Sequence, residues 1–158
     1  METETRQFFP LKKILVSTDG SENAERAVQA AIQLAKQNGA ELVIVHIIAE
    51  MIPAVYSSIS VGTPSIDYSH YFEFAENEGK KIVNAAKEKA EKQSVRVKGE
   101  IVTTPSSVVE SILKLEESEK ADLIVIGTRG LGGFKRLVLG SVSSGVVAHA
   151  KCAVLVVR

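Results

Sequence analysis

The stretch from Gly127 to Ser141 reads GTRGLGGFKRLVLGS. It follows the apolar run Leu123–Ile126, which is typical of a buried strand, and it precedes apolar residues at helical spacing (Val142, Val146, Val147 and Ala150). Glycines therefore lie where the chain must turn from a strand into a helix. Unpaired N–H groups and the positive end of a helix dipole both attract anions at such a point, so we predict a phosphate-binding loop here.

The spacing of these glycines excludes two common nucleotide motifs. A Walker A loop requires Gly-x4-Gly-Lys-Ser/Thr, but here Gly127 and Gly132 are followed by Gly133. A dinucleotide fingerprint requires Gly-x-Gly-x-x-Gly after the first strand, but Gly132 is followed by Lys135 at the third glycine position, and the stretch follows the fourth predicted strand. The spacing that remains is Gly-x2-Gly-x9-Gly-Ser.

The composition limits the classes of protein to consider. The 158 residues suffice for one domain, and the 19 basic and 19 acidic residues leave a formal net charge of zero. We therefore expect neither nucleic acid nor a membrane surface as a partner. A single cysteine, Cys152, excludes an internal disulfide, and no apolar run has the length of a signal peptide or a membrane span. We expect a cytoplasmic protein.

Short apolar runs alternate with helical patterns along the whole chain, which predicts an α/β fold. The predicted strands cover residues 13–18, 42–47, 95–102, 123–126 and 153–157. Ser21 is the predicted N-cap of the first helix, Gly39 its end, and Thr104 the start of the third helix. We predict a single-domain, five-stranded parallel sheet, Rossmann-like, in the order 3-2-1-4-5, with helices on both faces and the third strand at an edge.

Three further segments lie outside the predicted strands. Residues 1–10 are a polar lead-in, and residues 49–69 form a long variable loop that we interpret as a lid or a contact with a partner subunit. The acidic run from Glu116 to Glu119 is predicted to be a solvated surface. Residues 1–158 as a whole are expected to form one domain.

Ligands of such sheets bind outside the carboxyl ends of the strands, where the strand order reverses. In the predicted order the first and fourth strands flank that crevice. Asp19 is suited to accept hydrogen bonds from ribose hydroxyls, while the loop from Gly130 to Gly140 and the N–H groups of Ser141 and Val142 would hold phosphates. The end of the second strand, His46-Ile47, borders the same region and would offer an apolar surface and backbone groups to a purine.

The spacing Gly-x2-Gly-x9-Gly-Ser closely resembles the nucleotide-binding motif of the universal stress protein family, in its ATP-binding subgroup. Residues 12–22, 121–127 and 154–157 resemble the family's first, fourth and last strands. One departure is Ala153, where many members have proline. The resemblance implies a regulatory or stress-protective protein that binds ATP or AMP, leaves a role for Mg²⁺ open, and forms a homodimer through residues 153–157. The nucleotide-binding residues that it implies are Ser17, Thr18, Asp19, Ile47, Ile126, Gly127, Arg129, Gly130, Gly140, Ser141, Val142 and Ser143.

Each of these residues also has a purely structural interpretation. The glycines could only permit a tight strand-to-helix connection, Asp19 could only cap a helix, and Arg129 could be a solvated charge. No metal site is predicted, because His46, His70 and His149 lack the spacing of metal ligands. Cys152, in apolar surroundings, is interpreted as a small packed residue and not as a nucleophile.

A slow ATPase or an autophosphorylating enzyme is the alternative function. It would need Mg²⁺ ligands and a group that positions the attacking water or acceptor, and Asp19 is the one acid that the sequence places near the site. Flavodoxin-like proteins would require a phosphate loop after the first strand, and related adenylating enzymes would require Ser-Gly-Gly-x-Asp-Ser there. The segment from Ser17 to Ser21, STDGS, matches neither.

Overall fold

The structure, a computed structural model, describes residues 10–50, 69–129 and 139–158. Strands and helices alternate along these residues, as predicted. In chain order they are β1 (Lys13–Ser17), α1 (Glu22–Asn38), β2 (Glu41–Ala49), α2 (Ser69–Glu91), β3 (Val97–Thr104), α3 (Val108–Glu119), β4 (Leu123–Gly127), α4 (Ser141–His149) and β5 (Ala153–Val157). The predicted lead-in before Pro10 and nearly all of the predicted loop 49–69 lie outside the described residues.

The five strands form one parallel sheet in the order β3-β2-β1-β4-β5, which confirms the predicted topology. β1 is the central strand, with Ile14 paired to Leu42 of β2 on one side and to Leu123 of β4 on the other. β3 lies at an edge, as expected from its weaker apolar pattern. Among the described helices, none has both the length and the apolar character needed to cross a membrane.

Helices cover both faces of the sheet because successive side chains of a strand point to opposite sides. Ile14 and Val16 pack in one core with α1 and α2. Leu15 lies in the other core, together with Ile112 of α3 and Val146 of α4. Both cores contain side chains that are fully buried, which explains the unbroken apolar runs of the central strands.

The predicted boundaries of α1 are confirmed. Ser21 caps its first turn, with Oγ accepting a hydrogen bond from the backbone N–H of Ala24 at 3.2 Å. Gly39 ends the helix in the left-handed conformation, with φ at 63°, and its N–H donates to the carbonyl of Ala35. These two residues place the start of α1 directly after the end of β1.

The predicted start of α3 at Thr104 is wrong. Thr104 is the last residue of β3, where it pairs with Ala49, and the helix begins at Val108. Ser107 is the N-cap, since its Oγ accepts from the backbone N–H of Glu110 at 3.1 Å. Pairing with the long strand β2 therefore extends β3 through the residues that resembled a helix start.

β3 is also shifted by two residues from the predicted range 95–102. Val95 is buried, but its N–H donates to the carbonyl of Ala90 at 3.1 Å and thus closes the end of α2. Its apolar side chain packs in the core beneath the turn and does not belong to a strand. Val147, one of the apolar residues at helical spacing in α4, is 48% exposed.

The prediction that the whole acidic run 116–119 is solvated is also wrong. Glu116 is only 4% exposed, and its Oε1 accepts hydrogen bonds from the backbone N–H of Lys151, at 2.7 Å, and of Cys152. Glu116 lies one helical turn after the buried Ile112, so it faces the same core. Glu117 does face the solvent.

Candidate functional site

The carboxyl ends of β1 and β4 lie side by side. Val16 pairs with Val125, so that Ser17 and Thr18 lie next to Ile126 and Gly127 at the same edge of the sheet. The two stretches that the sequence singled out, 109 residues apart between the paired residues Val16 and Val125, therefore reach one crevice. This is the position at which parallel sheets bind ligands.

Thr18 is held at three points. Its N–H donates to the carbonyl of Val45 at 2.9 Å, and its own carbonyl oxygen lies 2.9 Å from Nδ1 of His46. Its hydroxyl oxygen accepts from the N–H of Gly20 at 3.2 Å. Thr18 is buried, so the main chain immediately before Asp19 is fixed to the end of β2.

Asp19 shapes the turn between β1 and α1. Its Oδ1 accepts a hydrogen bond from the N–H of Ser21 at 3.0 Å, which is a local structural role in the turn. The helix cap that the sequence offered as an alternative role for Asp19 is provided by Ser21. A carboxylate has about four acceptor positions, so this bond is compatible with ligand contacts by the same side chain. Gly20 follows with φ at 78°, and a Cβ at this position would lie 3.0 Å from Cδ1 of Ile82.

Gly127 is required by packing. A Cβ at this position would lie 2.9 Å from the backbone C and O atoms of Asn23 in the first turn of α1. The end of β4 and the start of α1 therefore touch through main-chain atoms. This contact supports a structural interpretation of this glycine.

Thr128 connects the end of β4 with the start of α4. Its N–H donates to the carbonyl of Val157 at 2.8 Å, and its carbonyl oxygen accepts from the N–H of Gly140 at 2.7 Å. The hydroxyl oxygen of Ser143 lies 2.9 Å from the same carbonyl and 3.0 Å from that of Gly140. Ser143 and Thr128 are buried, so these bonds hold the first turn of α4 against the sheet.

The N-terminus of α4 has no side-chain cap. Gly140 is the N-cap residue, in an extended conformation, and it provides no side-chain hydrogen bond to the first turn. Ser141 is exposed and Val142 is half-buried. Because the first N–H groups of a helix have no partner within the helix, this end can donate hydrogen bonds to an anion.

The sequence profile of the universal stress protein family matches residues 10–158. The chain belongs to the universal stress protein family. Its relatives include Universal stress protein YxiE of Bacillus subtilis (strain 168), which is 37% identical over 150 residues, spanning 92% of this chain and 98% of that protein.

Solved universal stress proteins share the fold. Universal stress protein UspA from Lactobacillus plantarum superimposes with a TM-score of 0.80 at 26% identity, over 94% of this chain and 98% of that one. A universal stress protein solved in complex with cAMP superimposes with a TM-score of 0.64 at 25% identity, over 94% of this chain and 98% of that one.

The remaining predicted site residues of this universal stress protein are only partly described. Ile47 and Ile126 pack in the core shared with α3 and α4, near the carboxyl ends of their strands. Arg129 is half-buried, whereas Gly130 lies outside the described residues. Within residues 10–50, 69–129 and 139–158, no three His, Cys, Asp or Glu side chains are grouped as metal ligands would be.

Sequence reasoning missed Thr128 and the hydrogen-bond partner of His46. Thr128 acts through its main-chain carbonyl, which every residue type carries, so its identity gave no signal. His46 was interpreted as structural, and its bond to Thr18 agrees with that interpretation. The apolar strand around it could have suggested that its one polar group has a specific partner.

Proposed function

We propose that this universal stress protein binds ATP or AMP at the carboxyl ends of β1 and β4 and acts as a regulatory or stress-protective protein. One observation carries the proposal: the Asp19 turn and the uncapped N-terminus of α4 adjoin the same edge of the sheet, and main-chain bonds fix both. The related structure in complex with cAMP supports the chemical class, because cAMP is also an adenine nucleotide.

Each part of the nucleotide has a partner in this proposal. Asp19 accepts hydrogen bonds from the ribose hydroxyls, and Ile47 lies beside the adenine. The N–H groups of Ser141 and Val142 bind the phosphates, as helix N-termini do. Arg129 and Gly130 contribute to the phosphate end, while Ser17, Thr18 and Ile126 line the crevice. Gly127, Gly140 and Ser143 keep the strand ends and α4 in position.

Mg²⁺ fits this site only as a companion of the nucleotide. Mg²⁺ is commonly held by substrate phosphates, water and one or two carboxylates, and the described residues contain no cluster of acidic or histidine ligands. Efficient hydrolysis would also require a group that orients water. We therefore favour a regulatory ligand over a substrate, with slow hydrolysis or autophosphorylation as the alternative.

We also propose that two copies associate through β5. This strand lies at the end of the sheet and pairs with β4 on one side. Leu155 in β5 is an exposed apolar side chain on this strand. An exposed apolar edge strand is a site of pairing with another chain, so a second copy would protect it.

Calorimetric titration with ATP and with 2′,3′-dideoxy-ATP tests the ribose contact. Asp19→Asn retains an oxygen that can accept from Ser21 but removes the charge that favours bonds from hydroxyls. We expect about tenfold weaker binding of ATP by this variant, as the loss of about one charge-assisted hydrogen bond predicts. The dideoxy analogue should bind equally to both proteins.

Asp122→Asn is the matched control. Asp122 also accepts main-chain hydrogen bonds, from Lys12 at 2.8 Å and Lys13 at 2.9 Å, but at the opposite end of the sheet. It should leave ATP binding unchanged. Failure of the unaltered protein to bind ATP or AMP would contradict the proposal. So would an Asp19→Asn variant that loses as much affinity for the dideoxy analogue as for ATP.

The ultraviolet spectrum of the purified protein is a simpler first test. The chain has no Trp and three Tyr, so a co-purified nucleotide would dominate its ultraviolet absorbance.

A further inference from the structure

We propose that His46 is a positioning residue for the nucleotide site. In this proposal its ring holds the carbonyl of Thr18, and thereby the direction of Asp19, and Gly79 of α2 provides the space that the ring needs. The effect of His46 on nucleotide binding rests on the proposed function. Its effect on the turn that contains Asp19 rests only on contacts among the described residues.

The tautomer of His46 follows from its partner. Nδ1 lies 2.9 Å from the carbonyl oxygen of Thr18, and a carbonyl oxygen can only accept, so Nδ1 must carry the hydrogen. Val45, the preceding residue of β2, accepts the N–H of Thr18. Two consecutive residues of β2 therefore hold both main-chain polar groups of Thr18, the residue directly before Asp19.

Gly79 explains how the ring fits. A Cβ at this position would lie 2.7 Å from Cδ2 and 3.3 Å from Nε2 of His46, so a side chain there would push the ring away. Glycine within a helix costs about 1 kcal/mol relative to alanine, and α2 carries this cost at the point where the ring packs. Ile82, almost one turn later, packs over Gly20. The same face of α2 thus covers both His46 and the turn that contains Asp19.

Loss of this bond should loosen the turn. The peptide group between Thr18 and Asp19 would lose the partner of its carbonyl, and the carboxylate would have to be ordered at the moment of binding. At the upper end of its usual range, the net free energy of one hydrogen bond corresponds to a loss of about tenfold in affinity for ATP.

Two substitutions of His46 separate the hydrogen bond from packing. His46→Asn places Nδ2 at about the position of the imidazole Nδ1, whereas His46→Leu has the same branching and no donor. Calorimetric titration with ATP should show about tenfold weaker binding for His46→Leu and near-normal binding for His46→Asn. A role in packing alone predicts the opposite order, because leucine fills apolar space better than asparagine.

Gly79→Ala tests the space for the ring. It should weaken ATP binding as His46→Leu does, and the double variant should be no weaker than either single variant, because both remove the same bond. Gly39→Ala is the control: it also adds a methyl group at a glycine, but its Cβ would meet no atom within 4 Å, so it leaves α2 and His46 in place. Equal loss of binding in Gly39→Ala would overturn the assignment to His46.

A measurement without nucleotide distinguishes this inference from the proposed function. In ¹⁵N-labelled protein, Nδ1 of neutral His46 should be protonated, and exchange of the Gly20 and Ser21 amide hydrogens should be faster in His46→Leu but not in His46→Asn. If these results hold and the protein binds no ATP, the proposed function falls while the role of His46 in the turn stands. If the protein binds ATP and amide exchange is the same in all three proteins, the role of His46 is refuted.

Discussion

Oε1 of Glu116 lies 2.7 Å from the backbone nitrogen of Lys151, 35 residues further along the chain. The same oxygen accepts the N–H of Cys152, so one buried carboxylate of α3 holds the turn between α4 and β5. Thr128 and Ser143 hold the other end of α4. The helix whose N-terminus faces the candidate site is therefore fixed at both ends.

Glu116→Ala should lower the free energy of unfolding by about 1.5–3 kcal/mol, because two buried N–H groups would lose a charged acceptor. Glu116→Gln should cost less, since its amide oxygen can still accept. Urea denaturation measures both. Glu117→Gln, which removes only the exposed ion pair with Lys151, is the control and should have no measurable effect. Similar losses in all three variants would contradict the role of Glu116.

The thiol of Cys152 should be unreactive in the folded protein. Burial, with Glu116 nearby as the second cause, raises the pKa of Cys152 to about 12. Since the thiolate is the reactive form, a disulfide reagent at about pH 8 should modify the native protein slowly and the urea-unfolded protein rapidly. Fast modification under native conditions would contradict this prediction and would make Cys152 a candidate nucleophile.

Gly127→Ala should destabilise the protein by about 1–3 kcal/mol and abolish ATP binding, because its Cβ meets main-chain atoms of Asn23 that cannot rotate away. Gly39→Ala is the matched control. Its Cβ meets no atom within 4 Å, so only the left-handed backbone costs energy, about 1–2 kcal/mol. Urea denaturation and calorimetry should show lower stability in both variants but loss of binding in Gly127→Ala alone.

Stability should depend on Glu119 in a defined range of pH. Hydrogen bonds from Lys98 and then Lys13 lower the pKa of Glu119 from its ordinary value of 4.5. The stabilisation is therefore present above about pH 4.5 and is lost as the pH falls through the lower pKa of the folded state. Urea midpoints of the protein and of Glu119→Gln should differ at about pH 7 and converge as the pH falls below 4.5 and through the lowered pKa of Glu119. A constant difference would contradict this assignment.

Leu155→Lys should convert the proposed dimer into a monomer, because it places a charge on the exposed edge strand. Sedimentation measures the change in mass. Tyr71→Ser, which removes an exposed aromatic side chain from α2, should leave the mass unchanged. A dimer that survives Leu155→Lys would place the interface elsewhere.

The fold was predictable because its strands are short, apolar and separated by helical patterns, and because both ends of α1 are visible in the sequence. Ser21 and Gly39 are local signals, and both are confirmed. Thr104 misled because pairing with Ala49 of β2, which is a long-range contact, outweighs its resemblance to a helix start. Local patterns set the type of each element, and the sheet sets its ends.

The candidate site was less predictable because main-chain groups and distant partners build it. Glu116 was predicted to be solvated, although its spacing of four from Ile112 is that of the inner face of α3, where it is buried. The contact of His46 with Thr18 joins residues 28 apart, and the contact of Thr128 with Ser143 joins residues 15 apart. Neither contact has a local pattern from which it could be inferred.

The central position of β1 has a consequence during synthesis. Ile14 pairs with Leu123, so a ribosome working at about 5–20 residues per second must continue for roughly 5–20 s after making β1 before its second neighbour exists. During that interval the nascent chain carries its central strand with one side unpaired. Chaperones would have the greatest influence on the yield of this protein in that interval, before β4 emerges.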